Sequence, residues 1–162
     1  MKVIFLDVDG VLNFDGSDAR TPLGHLGIVD RLVKKLRTLV DNTNALVVIV
    51  SDWKELWNQS VTDVEDLSPD GQYLVKKLKR NGVHITSKTS DRFPNKLRGA
   101  AIMDWIAAHK SVESWCVLDD VYFDDYLNYM EISSHIVLTD PSVGLTDDNV
   151  KYAIDILNKQ EE

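Results

Sequence analysis

The sequence predicts an α/β fold, a three-layer sandwich around a mostly parallel central sheet. Two observations carry the prediction. Short unbroken apolar runs, VIFL at 3–6, LVVIV at 46–50 and WCVL at 115–118, have the length and character of strands buried on both faces. Between the first two runs, Ile28, Val29, Leu32, Val33, Leu36, Leu39 and Val40 recur at helical spacing. Strands alternating with helices imply a parallel sheet with helices packed on it. With no internal repeat, low-complexity tract or linker, residues 1–162 read as one domain.

The elements follow in order. A first strand is expected at 3–7, then a polar loop, then the helix just described, stopped by Asn42 to Asn44. The second strand ends at Ser51, and a short helix follows around Trp53 to Trp57. Ser68-Pro69 is a helix start, an N-cap followed by proline in the first turn, and Asn81-Gly82 is its end. A third strand is expected at Val83 to Thr86, with a loop from Ser87 to Asn95. Ala101, Ile102, Trp105 and Ile106 mark the next helix, and Trp115 to Leu118 a strand ending at Asp119. Ile136 to Leu138 forms the fifth strand, and Val150, Ala153, Ile154 and Leu157 the closing helix.

Bulk properties exclude several classes. The net charge of −8 argues against broad electrostatic binding to nucleic acid, although a local basic patch remains compatible with it. No apolar run is long enough to span a membrane, and Asp7 interrupts the N-terminal run too early for a signal peptide. Cys116 is the one cysteine, which precludes an intramolecular disulfide and reads as a buried thiol in a reducing, cytoplasmic setting. Oligomeric state has no signature in the sequence.

The polar residues at the strand ends carry the chemistry. The first strand ends in Asp7, with Asp9 and Gly10 just beyond; the second ends in Ser51, and the fourth in Asp119-Asp120. Ligands of open parallel sheets bind outside the carboxyl ends of the strands, so these groups converge on one site if their strands are neighbours. Four carboxylates there would repel one another without a cation. A hard ion such as Mg²⁺ suits all-oxygen ligands and accepts a substrate phosphate, which makes phosphate chemistry the expectation.

With those residues in view, DVDGV at 7–11 resembles the first motif of the haloacid dehalogenase (HAD) superfamily of phosphohydrolases. VVIVS at 47–51 is similar to the second motif, Arg98 to the basic third and VLDD at 117–120 to the acidic fourth. SDWK at 51–54, RGAAIMDWI at 98–106 and TDPSVGLT at 139–146 further resemble the small HAD domains of Swiss Army knife RNA-repair proteins. This chain has Asp52 and Lys54 where that group usually has Ser and Arg, and Ala101 where it usually has an acid.

The resemblance implies a HAD-like, Rossmannoid sheet, and the short gaps at 14–44 and 52–97 leave no room for a substantial cap domain. It implies a Mg²⁺-dependent phosphomonoesterase in which Asp7 attacks phosphorus and Asp9 acts as acid and then base. Mg²⁺ would be held by the Asp7 carboxylate, the Asp9 carbonyl and Asp119, with Asp120 bound directly or through water. Ser51 and Arg98 would bind phosphoryl oxygens, with Lys96 competing for the place of Arg98, and helix capping is the plainer role for Ser51. An uncapped site implies large or extended phosphorylated substrates, including nucleic-acid ends, or nucleotides. Arg20, Lys54, Lys88 and Arg92 are the cations expected at its mouth. The alternative is a non-catalytic phosphate- or protein-binding module on the same fold. A phospho-receiver is excluded, because no lone aspartate closes a middle strand before the basic residue.

Overall fold

The computed structural model describes residues 1–159. Its strands are β1 (Lys2–Leu6), β2 (Leu46–Ile49), β3 (Ile85–Lys88), β4 (Ser114–Asp119) and β5 (Ile136–Leu138). They form one sheet in the order β3-β2-β1-β4-β5, every neighbouring pair parallel. The α-helices are α1 (Asp30–Thr43), α2 (Pro69–Arg80), α3 (Arg98–Ala108), α4 (Met130–Ser133) and α5 (Asp147–Asn158). Short 3₁₀ turns occupy Asp52–Leu56, Val64–Asp66, Asn95–Leu97 and Asp124–Asn128. Among the described residues, no helix is long and apolar enough to cross a membrane.

Alternation along β1 explains the layers. Ile4 and Leu6 point into a core built with α1, α2 and α5, while Val3 and Phe5 point into a second core with α3 and α4. Because both faces are covered, β1, β2 and β4 are apolar throughout their centres and show no polar alternation. Phe5 meets Trp105 and Trp115 edge-on, with ring centroids 5.5 and 6.0 Å apart, which anchors the second core. Cys116 lies buried in β4, and burial pushes its thiol up and out of the reactive range.

Two expected boundaries move for identifiable reasons. Val83 and His84 were expected in β3, which begins at Ile85. The end of α2 takes Val83: its amide donates to Leu78 O and that of Gly82 to Lys79 O, the two bonds of a Schellman motif. The segment read as a loop from Ser87 contributes Ser87 and Lys88 to β3 instead. The start of α2 is as expected, with Ser68 Oγ accepting from the Gly71 amide at 3.2 Å and Pro69 in the first turn.

The order of the sheet places the site. β1 lies at its centre, β2 and β4 flank it, and the chain reverses its direction of travel between β1 and β4. Leu6 pairs with both Ile49 and Leu118, so the residues that follow these strands emerge side by side. That crevice is where an open α/β sheet binds its ligand.

Candidate active site

Asp7 leaves β1 with its amide donating to Leu118 O at 2.9 Å, which sets it beside the end of β4. Asp119 ends β4, and Asp120 follows. Carboxylate oxygens of Asp7, Asp119 and Asp120 all lie within 4.8 Å of one another, and the cluster can hold a metal ion. Gly10 is required beside it: its φ is +77°, and a Cβ there would run into the Asp120 carboxyl.

The electrostatics of the cluster are strained. Burial first, and the Asp119 charge second, push the Asp7 carboxyl well above its ordinary range, against the pull of Arg98. Burial likewise raises the Asp120 carboxyl. The Asp120 carboxyl, close to Asp7, adds to the upward push on Asp7. A divalent cation would relieve the repulsion among these carboxylates, so the all-oxygen donor set fits a hard ion.

Arg98 supplies the positive charge. The first residue of α3, it is buried and places Nη1 2.7 Å from Asp119 Oδ2 and 3.2 Å from Asp7 Oδ1. Nη2 donates to Asn95 Oδ1, and the guanidinium carbon stands 4.3 Å above the Phe123 ring. Among the described residues its Nε has no partner, although it is buried. Lys96, two residues earlier, is exposed; of the two, Arg98 is the one that reaches the carboxylates. The start of α3 is itself held by buried Asp125, whose Oδ2 accepts from the Ala100 amide at 2.8 Å.

Asp9 is exposed and stands outside the carboxylate cluster. Its side chain is clamped by two N–H donors, Asn13 Nδ2 at 2.8 Å to Oδ1 and Trp53 Nε1 at 3.2 Å to Oδ2. Ser51, buried beyond the end of β2, accepts from the Trp53 amide at 3.3 Å. The capping role of Ser51 is therefore present, and its own O–H has no protein acceptor among the described residues. The loop carrying Asp9 is tied from above: Thr139 Oγ1 donates to Gly10 O at 2.7 Å, and Leu145 N to Val11 O at 2.9 Å.

The four cations expected at the mouth are engaged within the protein instead. Lys54 is buried, and burial lowers its pKa; its ammonium donates to Ser90 O at 2.9 Å and to Thr89 Oγ1 and Phe93 O at 3.3 Å. Lys88 binds Asp91 at 2.8 Å, and Arg92 binds Asp104 at 2.6 Å. Arg20 donates to the carbonyls of Ser17 and Ala19.

A family model described as the HAD domain in Swiss Army Knife RNA repair proteins matches residues 3–150. The chain belongs to this family. Neither the curated proteins nor the solved structures compared with it gave a match. As a HAD domain it has the parallel sheet flanked by helices, and among the described residues no cap is evident over the strand ends. Asp7, Ser51, Arg98 and Asp119, the residues expected at the site, lie at neighbouring strand ends and at the start of α3. Sequence reading missed Tyr126, which is buried and donates to Asp119 Oδ2 at 2.7 Å, and the Phe123 ring under Arg98. Both lie around a short 3₁₀ turn with no periodicity to mark it.

Proposed function

We propose that this HAD domain is a Mg²⁺-dependent phosphomonoesterase acting through an aspartyl-phosphate on Asp7. The observation that carries the reading is the pairing of two differently placed aspartates in DVDG. Asp7 is buried among carboxylates and Arg98, while Asp9 is exposed and fixed by Asn13 and Trp53. A module that only bound phosphate would need no second carboxylate held on the solvent side of the first.

In the first step Asp7 Oδ bonds to phosphorus, the bond from phosphorus to the leaving oxygen breaks, and Asp9 gives that oxygen a proton. In the second, water bonds to phosphorus, the aspartyl-phosphate bond breaks, and the water proton passes to Asp9. Arg98 holds Asp7 in place and offers charge to the phosphoryl oxygens, and its unpartnered Nε is a donor that such an oxygen would satisfy. The Ser51 O–H is free to donate to another oxygen. Asp7, Asp119 and Asp120, with the carbonyl of Asp9, would hold the ion. When bound, Mg²⁺ supplies charge neutralisation for phosphoryl transfer.

The test is phosphate release from aryl phosphates, mononucleotides and end-phosphorylated oligonucleotides, with Mg²⁺ and with chelator. Turnover present with Mg²⁺ and abolished by chelator is expected; equal release in both would reject the metal-dependent mechanism.

A second measurement reads the ion through stability. Between the ordinary carboxyl value of 3.8 and the raised values of Asp7 and Asp120, the folded chain binds more protons than the unfolded one. Without metal, stability therefore falls as pH rises across that window. Mg²⁺ at a hundred times its Kd should raise Tm by about 5–10 °C at neutral pH. The increment should shrink on acidification, as protons compete for the carboxylates. An increment independent of pH would place the ion elsewhere.

A further inference from the structure

We propose that the groove beside Asp9 receives the leaving group of a small phosphomonoester, and that this group is apolar and positively charged. The inference rests on the phosphatase reading above and names its substrate class.

A groove of about 580 Å³ opens next to Asp9, within the size range of small-molecule sites. Trp53, Leu23, Leu26 and Leu56 line it with apolar surface, and Leu23 is 63 % exposed there. Trp53 joins the groove to the chemistry, because the indole that lines it also donates to Asp9 Oδ2 at 3.2 Å. Asp9 is the group that protonates the leaving oxygen, so whatever leaves lies on its side of the phosphorus.

The loop that forms the outer wall is fixed rather than open-ended. Asp70, buried at the start of α2, accepts from Thr21 Oγ1 at 2.9 Å and from the Leu23 amide at 3.1 Å. Tyr73 Oη accepts from the Ile28 amide at 2.9 Å. A wall held at both ends favours a pre-formed site for a compact ligand.

Charge then selects the ligand. Asp9, Asp52 and Glu55 are exposed carboxylates of the lining, and His25 is its one basic side chain. Lys88 and Arg92 pair with Asp91 and Asp104, and Lys54, held by neutral oxygens, keeps its charge and offsets Asp52 in part; among the described residues Asp9, Asp52 and Glu55 form no ion pair. A second phosphate on the leaving side would meet like charge, whereas an ammonium on an apolar body would meet opposite charge over leucine and indole. A separate groove of about 520 Å³ carries Lys76, Lys77 and Arg80 of α2, with Pro22 and Pro69 next in sequence to Leu23 and Asp70. Asp30 already pairs with Lys77 and Arg80 there. A polyanion reaching that surface is the rival occupant.

The experiment compares kcat/KM for the O-phosphates of tyramine, 4-ethylphenol and 3-(4-hydroxyphenyl)propionate, phenols of similar acidity differing in charge, beside a 3′-phosphorylated oligonucleotide. The cationic ester should exceed the anionic one by about tenfold at low salt. Asp52→Asn with Glu55→Gln should bring that ratio close to one. Calorimetric Kd values of the same esters for Asp7→Asn with Mg²⁺ should follow the same order, independently of turnover. A flat or reversed order in binding, or an oligonucleotide preferred over the cationic ester, overturns the proposal. The expected order in binding with no turnover of any ester by the wild type would instead reject the phosphatase reading and leave the groove assignment standing.

Discussion

Asp7→Asn should abolish turnover while leaving the fold intact, a loss of roughly 10³-fold or more in kcat. The amide fills the same space but cannot form the acyl phosphate. Stability should change little, and the balance of forces at Asp7 says why. Burial and the Asp119 charge outweigh the attraction of Arg98, so a charge at residue 7 is unfavourable in the metal-free protein. A neutral residue there removes that repulsion, and Arg98 keeps its 2.7 Å contact with Asp119. Phosphate release beside thermal unfolding separates the two effects. Turnover equal to wild type would eliminate Asp7 as nucleophile, whereas lost turnover with an unfolded protein would locate its role in the structure.

Arg98→Met should be the most damaging change to stability in the site. It removes the cation from between two buried carboxylates, Asp7 and Asp119, and leaves Tyr126 and the Val121 amide as the donors to Asp119. Breaking a buried pair from one side costs about 3–5 kcal/mol, which lowers Tm by roughly 10 °C in a chain of this size. Mg²⁺ should recover part of the loss, since it brings charge to the same oxygens. Arg98→Lys keeps the charge but gives up the bond to Asn95 and the planar contact with Phe123, so its loss should be smaller. Denaturant unfolding of both variants, with and without Mg²⁺, tests the order. A metal-free Arg98→Met protein as stable as wild type would show that the carboxylates are neutral by other means.

Much of the site was legible because strand ends are legible. Asp7, Ser51 and Asp119 each close an apolar run, and a parallel sheet aligns such ends whatever the intervening sequence does. The choice between Lys96 and Arg98 was not legible, since it depends on which residue begins α3 and faces inward. Tyr126 was hidden for a related reason. Its role comes from where a short turn lies against β4, and nothing local in YFDDYLN encodes that. The partners of Arg20, Lys54, Lys88 and Arg92 were not legible: Arg20 and Lys54 bond backbone carbonyls, while Lys88 and Arg92 pair with Asp91 and Asp104. Trp53 is buried, and its hydrogen bond to Asp9 spans 44 positions and left no trace in the spacing.

The ties from Thr139 to Gly10 and from Leu145 to Val11 have a consequence for how the protein comes into being. The Thr139 bond links residues 129 apart, so the loop bearing Asp9 is synthesised well before the residue that secures it. A contact of such separation pays a large loop-closure entropy before it forms. A nascent or half-folded chain thus holds both aspartates without the brace that aims them. Competence is withheld until the last strand and its following loop have settled, and the geometry of the site serves as a certificate that the rest of the molecule is in place.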